Sequence, residues 1–103
     1  MKEEKPRPFR FAEALGTDVN SAFVNLRSEI MKDGAISSKD KALIALACAL
    51  AIPCDSCIEF HKKVAISAGA TKEEMLEAGA IGGLVRMGSG FASAFMMLED
   101  ANK

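Results

Sequence analysis

Residues 37–61, SSKDKALIALACALAIPCDSCIEFH, decide the fold of this 103-residue chain. The first half of the stretch predicts a helix that runs through Ile52 and is apolar around nearly its whole circumference. Such a helix is typical of a segment buried in a core or between subunits. Ser37 or Ser38 is a favourable N-cap for it, and Pro53 ends it because proline cannot continue a helix.

The segments on either side of this stretch also favour helices. Strand patterns are missing, and alanine, leucine, methionine, glutamate and lysine, all good helix formers, dominate. Asp18 is predicted to cap a helix that Gly34 ends, and a third helix is predicted from about Asp55 to Ala68, ending at Gly69. The first dozen or so residues are expected to form a tail.

The last third of the chain predicts helices interrupted by glycine. Thr71 and Glu74 form a capping box, which predicts a short helix through Ala80. Five glycines lie between residues 79 and 90, and a break is expected near residues 88–90, before an amphipathic segment over residues 91–98. We therefore expect an all-α fold of about five to six helices, one domain over residues 1–103 with residues 1–14 as an N-terminal extension.

Composition excludes several classes of function. Thirteen basic residues balance fourteen acidic ones without a basic cluster, so no nucleic-acid partner is expected. The charged N-terminus, Met1 to Arg10, is unlike a signal peptide, and the longest apolar run, residues 42–53, is too short to span a bilayer. A cytoplasmic protein without a membrane partner is expected. The apolar content exceeds what a small monomer needs and predicts a homo-oligomer.

Aromatic residues are few. Tryptophan and tyrosine are absent and there are six phenylalanines, so the composition does not support stacking platforms for bases or sugars. Little is therefore expected for binding aromatic ligands.

Reactive side chains meet at a useful spacing only in the C-x-x-C-x-x-x-H element of Cys54, Cys57 and His61. Pro53 places Cys54 at a helix N-terminus, and His61 lies one helical turn beyond Cys57 on the same face. A helix N-terminus and a hydrogen-bonded histidine both favour a thiolate. This predicts redox catalysis with Cys57 as the attacking thiolate, Cys54 as its resolving partner and His61 as base or proton relay, without a cofactor.

Two alternatives compete with redox catalysis at this element. The three side chains are also of the types that bind zinc, but a structural zinc site needs a fourth ligand. Cys48 lies six residues upstream in an apolar helix and is expected to be a core residue. In the other alternative, both cysteines and His61 only pack.

Three segments carry a resemblance to a known family: residues 39–47 (KDKALIALA), 53–61 (PCDSCIEFH) and 68–78 (AGATKEEMLEA). Together they resemble the carboxymuconolactone decarboxylase superfamily in its alkylhydroperoxidase D-like branch. The resemblance implies an all-helical trimer or hexamer that reduces a hydroperoxide or small disulfide and is recycled by a lipoyl or thioredoxin-like dithiol. It also implies that Cys57 becomes the sulfenic acid, Cys54 closes the disulfide and His61 relays protons.

One position departs from the family pattern. Peroxidases of the family carry a glutamate about twelve residues before the first cysteine, where this chain has Ala42. Asp40 lies about 200° around the helix from that position, which leaves Glu29 and Glu59 as candidate substitutes. Loss of a general acid or base typically costs about 10²- to 10⁴-fold in rate. The sequence therefore predicts a weak peroxidase, with a dithiol/disulfide exchange protein or a catalytically degenerate helical oligomer as alternatives.

Overall fold

The computed structural model of the protein describes residues 5–101, which form five α-helices. They are α1 (Arg7–Leu15), α2 (Thr17–Met31), α3 (Ser38–Ala51), α4 (Asp55–Ser67) and α5 (Lys72–Ala101). This range contains no β-strand. The all-α fold class predicted from the sequence is therefore confirmed.

Helix α3 lies at the centre of the fold. It packs against α4 on one side and α5 on another, and it also touches α2, while α1 packs against α2. Ala42, Leu46 and Ala49 of α3 are buried, with at most 5% of each residue exposed. Their spacing of four and three residues places them on one face of the helix, which becomes the core.

Local hydrogen bonds fix where α3 and α5 begin. The Oγ atom of Ser37 accepts a hydrogen bond from the backbone N–H of Asp40 (3.1 Å), so Ser37 is the N-cap of α3. Thr71 and Glu74 make both bonds of the predicted capping box, at 3.1 and 2.8 Å. The Nζ atom of Lys39 contacts Glu74 at 2.8 Å, which ties the start of α3 to the start of α5.

The predicted break in the last helix is wrong. Helix α5 runs without interruption from Lys72 through Gly88 and Gly90 to Ala101. A glycine weakens a helix by only about 1 kcal/mol relative to alanine, and no proline lies in this segment to remove a backbone hydrogen bond. Packing of α5 against α3 around Gly79 and Gly82 stabilises the first half of the helix.

The N-terminal segment was predicted as a tail, but residues 7–15 form α1. Pro6 precedes the helix, and its carbonyl accepts hydrogen bonds from the N–H groups of Phe9 and Arg10, both at 3.1 Å. Ala12 is buried against the rest of the protein. Residues 1–4 of the predicted 1–14 extension lie outside the described residues.

Cys48 is exposed rather than buried in the core as predicted. It lines a groove of about 680 Å³ between α3 and α5, together with Ile44 one turn earlier and Gly82 on α5. Helix α3 is apolar all round, but α4 and α5 cover only part of its circumference. The side that carries Ile44 and Cys48 is left open within one chain.

Helix α5 also corrects the expectation that no apolar segment is long enough to span a bilayer. Over Lys72–Glu99 it reaches the required length and composition, with a mean hydropathy of 1.3 in its most apolar window and 6% of that window buried. The sequence prediction divided this segment at Gly88–Gly90 and so missed its length.

Gly82 marks the closest approach of α5 to α3. A Cβ atom added at Gly82 would lie 2.5 Å from the carbonyl oxygen of Ala47 and 3.2 Å from its carbonyl carbon. These are backbone atoms, which cannot move away as a flexible side chain does. By contrast, a Cβ atom at the neighbouring Gly83 would have no atom within 4 Å.

The pair of glycines yields a matched stability prediction. We expect Gly82→Ala to lower the free energy of unfolding by about 1–3 kcal/mol, because the two helices must separate. We expect Gly83→Ala to raise it by up to about 1 kcal/mol, because alanine favours the helix and fits without contact. Urea unfolding followed by circular dichroism measures both changes. Equal effects of the two substitutions would contradict the close contact at Gly82.

Candidate active site

The connection between α3 and α4 places the first cysteine at a helix N-terminus. The N–H of Ile52 donates to the carbonyl of Cys48 (3.1 Å), and the N–H of Cys54 donates to the carbonyl of Ala49 (3.2 Å), so the chain turns tightly through Pro53. Cys54 has extended backbone angles and is the N-cap of α4. The predicted position of Cys54 is thus confirmed.

Cys54 and Cys57 are joined in a disulfide. Their Cα atoms are 5.2 Å apart, inside the range that a disulfide requires. The Sγ atom of Cys54 accepts a hydrogen bond from the backbone N–H of Cys57 (3.3 Å) and lies 3.6 Å from the Oγ atom of Ser56. The structure therefore presents the oxidised form of the pair, and the sulfur of Cys54 caps the helix.

His61 lies one turn beyond Cys57 on α4, and both residues line one cavity of about 210 Å³. The Nδ1 atom of His61 is buried and has no hydrogen-bond partner among the described residues. No described residue therefore fixes the proton of the imidazole through this nitrogen. The structure thus brings Cys54, Cys57 and His61 together, while their catalytic roles stay predictions.

Three phenylalanines from different helices gather beside these residues. The ring centroid of Phe9 lies 5.3 Å from that of Phe23 and 5.6 Å from that of Phe60, with the rings edge to face. The centroid of Phe60 lies 5.2 Å from that of His61. The sequence prediction of little aromatic surface for a ligand is therefore wrong at this cavity, because half of the chain's six phenylalanines line it.

Arg27 of α2 adds a positive charge to the same cavity. Its guanidinium carbon lies 5.2 Å from the ring centroid of Phe60 and 5.8 Å from that of Phe9, within the distance of a cation–π interaction with both rings. Burial lowers the pKa of His61, and the charge of Arg27 lowers it further. A lowered pKa favours the neutral imidazole near neutral pH, which can accept a proton from a thiol.

No carboxylate among residues 5–101 lines this cavity. Ala42, at the position of the family glutamate, is fully buried. Asp40 lines the groove between α3 and α5 instead, Glu29 pairs with Lys32, and Glu59 is exposed and outside the cavity lining. Within one chain, neither of the candidate substitutes, Glu29 and Glu59, lies at the cavity, and Asp40 does not either.

The zinc alternative lacks a ligand set in residues 5–101. No group of three or more histidine, cysteine, aspartate or glutamate side chains in that range is placed to hold a metal ion. The sulfurs of Cys54 and Cys57 are bonded to each other, and Cys48 lies in the other groove. Residues 5–101 therefore give no support to the zinc alternative.

Sequence reasoning missed the side chains that α1 and α2 bring to the cavity. Phe9 lies on the predicted tail, and only the tertiary fold places it against Phe60. Phe23 and Arg27 gave a weak signal, since residues four apart lie on one helix face. That spacing indicates a shared surface but does not identify what the surface contacts.

Fold and site together define a class of protein: a small all-α protein with a C-x-x-C pair at a helix N-terminus and a histidine one turn later. The carboxymuconolactone decarboxylase family model matches residues 17–100, and the chain belongs to this family. The family resemblance stated from the sequence is thus confirmed.

Individual relatives agree with the family assignment. An uncharacterized protein in the cox locus of Paracoccus denitrificans is 38% identical over 79 residues, which cover 77% of this chain and 71% of that protein. The alkyl hydroperoxide reductase AhpD of Corynebacterium kroppenstedtii is 34% identical over 70 residues, covering 68% of this chain and 40% of the reductase. A crystal structure from Methanobacterium thermoautotrophicum aligns with a TM-score of 0.75 at 36% identity, covering 86% of this chain and 96% of that one.

The electrostatic environment of His61 yields a titration prediction. In the disulfide form, we expect the pKa of His61 to lie below the ordinary histidine value of about 6.5. Arg27→Gln should raise it only part of the way back, because burial is the larger cause and remains. His61 is the chain's single histidine, so its ring signal in an NMR pH titration reads this pKa directly.

The control is Arg86→Gln, which removes an exposed arginine on α5 outside the cavity lining. It should leave the titration of His61 unchanged. An unchanged midpoint in Arg27→Gln would contradict a significant interaction between the guanidinium and the imidazole.

Proposed function

We propose that this protein is a thiol-dependent peroxidase that reduces hydroperoxides through Cys57, Cys54 and His61. The observation that carries the proposal is the Cys54–Cys57 pair at the start of α4, with Cys57 and His61 lining one cavity. Membership of a family that includes a relative described as an alkyl hydroperoxide reductase supports it.

In the first step, neutral His61 takes the thiol proton of Cys57, and the thiolate attacks the terminal oxygen of the hydroperoxide. The O–O bond breaks and an S–O bond forms, which leaves Cys57 as a sulfenic acid. The departing alkoxide takes the proton back from His61 and leaves as an alcohol. The lowered pKa of His61 suits this exchange, because the imidazole enters the step neutral.

In the second step, Cys54 attacks the sulfur of the Cys57 sulfenic acid, the disulfide forms and water leaves. The hydrogen bond from the backbone N–H of Cys57 to the Sγ atom of Cys54 supports this role. A backbone N–H and the positive end of a helix both favour a thiolate on the N-cap sulfur. A dithiol partner of lipoyl or thioredoxin-like type, in a reducing cytoplasm, then reduces the disulfide by exchange.

Separate substitutions test the proposed role of each of the three residues. Reduced protein is mixed with cumene hydroperoxide in a stopped-flow instrument, quenched, and examined by intact mass and thiol count. We expect oxidation faster than for free cysteine, ending in a Cys54–Cys57 disulfide. Cys57→Ser should abolish this reaction, Cys54→Ser should stop it at a sulfenic acid, and His61→Gln should slow it by about 10²- to 10⁴-fold.

Cys48→Ser is the matched control, since Cys48 is an exposed thiol outside the cavity. It should react as the unmodified chain does and lose one counted thiol. Oxidation of the unmodified chain at the rate of free cysteine would contradict the peroxidase proposal.

Dithiol/disulfide exchange is the second candidate function. Two observations favour it: no carboxylate in the described part of the chain lines the cavity, and the backbone N–H of Cys57 would stabilise Cys54 as a leaving thiolate. Rapid reduction of the Cys54–Cys57 disulfide by dihydrolipoamide, combined with peroxide oxidation at the rate of free cysteine, would select exchange over the peroxidase.

We also propose that another copy of the chain covers the second half of α5. Eight large apolar side chains there are between 51% and 71% exposed: Leu84, Val85, Met87, Phe91, Phe95, Met96, Met97 and Leu98. A contiguous apolar surface of this kind marks an interface. The groove beside it, which holds Ile44 and Cys48, is open and apolar as well.

The packing of α5 favours a second copy over a bilayer. Up to Gly82 the helix is pressed against the backbone of α3, so this part cannot be surrounded by lipid unless α3 enters the bilayer too. The uncovered part, residues 83–98, is about 24 Å long at 1.5 Å per residue. The hydrocarbon core of a bilayer is about 30 Å thick.

The molar mass of the protein in solution tests the proposed oligomer. In size-exclusion chromatography with light scattering, we expect a species several times the 10.9 kDa chain mass. A Phe91→Glu and Phe95→Glu double variant should lower the mass toward that of one chain, because it places charges on the covered face. Ile66→Glu, at a comparably exposed apolar residue on α4, should leave it unchanged. A monomeric chain, or one that floats with liposomes, would contradict the proposal.

A further inference from the structure

The cavity beside Cys57 is larger and more specialised than hydrogen peroxide requires. Its volume is about 210 Å³, and its walls include the rings of Phe9, Phe23 and Phe60. An apolar cavity of about 150 Å³ can bind benzene, so this one has room for a ring and a few further atoms. Hydrogen peroxide would leave these apolar walls in contact with water.

Among residues 5–101, the charged side chains that line the cavity are all of one sign. Arg7 and Arg27 belong to its lining, and no aspartate or glutamate of that range does. Within residues 5–101, the structure contains no ion pair between Arg27 and a carboxylate, and the guanidinium carbon lies over the rings of Phe9 and Phe60. The N–H groups of a guanidinium lie in its plane, in the geometry that binds a carboxylate through a pair of hydrogen bonds.

We propose that the physiological substrate is a small organic hydroperoxide that carries a carboxylate, and that Arg27 binds this carboxylate. The inference rests on the proposed peroxidase function and adds the class of substrate. The apolar body of the substrate packs against the three phenylalanines, and the hydroperoxide group lies toward Cys57 and His61. Arg27 is then a specificity-determining residue, and α1 forms part of the substrate pocket through Phe9.

Size limits the substrate class further. A long fatty-acid chain does not fit within about 210 Å³, whereas an aryl or short alkyl group does. A matched pair of probes tests the charge alone: cumene hydroperoxide, and the same molecule with a carboxylate on the ring opposite the hydroperoxide-bearing carbon. Both carry the same reacting group and differ by one anionic substituent.

The kinetic test compares both probes with the reduced chain and with Arg27→Gln. We expect the unmodified chain to react faster with the carboxylate probe, and Arg27→Gln to lose roughly tenfold or more for that probe alone. Arg27→Lys should recover part of the loss, because it keeps the charge without the planar pair of donors. Arg86→Gln is the control and should change neither rate.

An equal loss for both probes in Arg27→Gln would overturn the proposal, because it would mean that Arg27 acts on the Cys57 thiolate rather than on the substrate. Equal rates of the unmodified chain with the two probes would overturn it as well.

A binding measurement separates this inference from the proposed function. The disulfide form cannot react with peroxide, so calorimetric titration with 4-isopropylbenzoate and its neutral amide reads recognition alone. We expect the carboxylate to bind more tightly than the amide, and Arg27→Gln to remove the difference. Carboxylate binding together with slow peroxide oxidation would reject the peroxidase but keep the anion site. Fast oxidation without preferential carboxylate binding would reject the anion site alone.

Discussion

The whole structure depends on removing the apolar surface of α3 from water. This helix is apolar around nearly all of its circumference, so no single neighbour can remove it from water. Helix α4 covers one side and α5 another, with Gly82 bringing the backbones of α3 and α5 close together. Because α4 must fold back immediately after α3, the turn through Pro53 is short, and the N-cap of α4 is a cysteine. The Cys54–Cys57 pair is thus placed by the same turn that completes the core.

Much of the fold could be predicted because its signals are local. Ser37 and the Thr71–Glu74 pair satisfy free N–H groups at helix starts, which depends only on residues three apart. The length of α5 could not be predicted in this way. Its glycines lower helix propensity, and the compensating contacts with α3 come from residues more than thirty positions away in sequence.

The candidate site also combines residues that local spacing predicts with residues that only tertiary packing brings together. Cys54, Cys57 and His61 lie within eight residues on one helix, so their spacing was enough to bring them together. Phe9 and Arg27 come from α1 and α2, and their position beside His61 follows from tertiary packing alone. The cysteines and the histidine of the cavity could therefore be predicted from the sequence, whereas its shape and charge could not. Buried Ala42 stands where the resemblance predicts a glutamate, and the charged side chains that line the cavity among residues 5–101 are the cations of Arg7 and Arg27.

The position of the Cys54 sulfur at the helix N-cap has a consequence for the relative stability of the disulfide and the two thiols. The N-terminus of α4 carries the positive end of the helix dipole, and the N–H of Cys57 points at this sulfur. A thiolate there is stabilised more than a neutral disulfide sulfur is, so the helix favours the reduced pair. A disulfide that gains stability on opening has a less negative reduction potential and is an easier target for cellular dithiols. The N-terminus of α4 thus favours the reduced state of the Cys54–Cys57 pair over the disulfide.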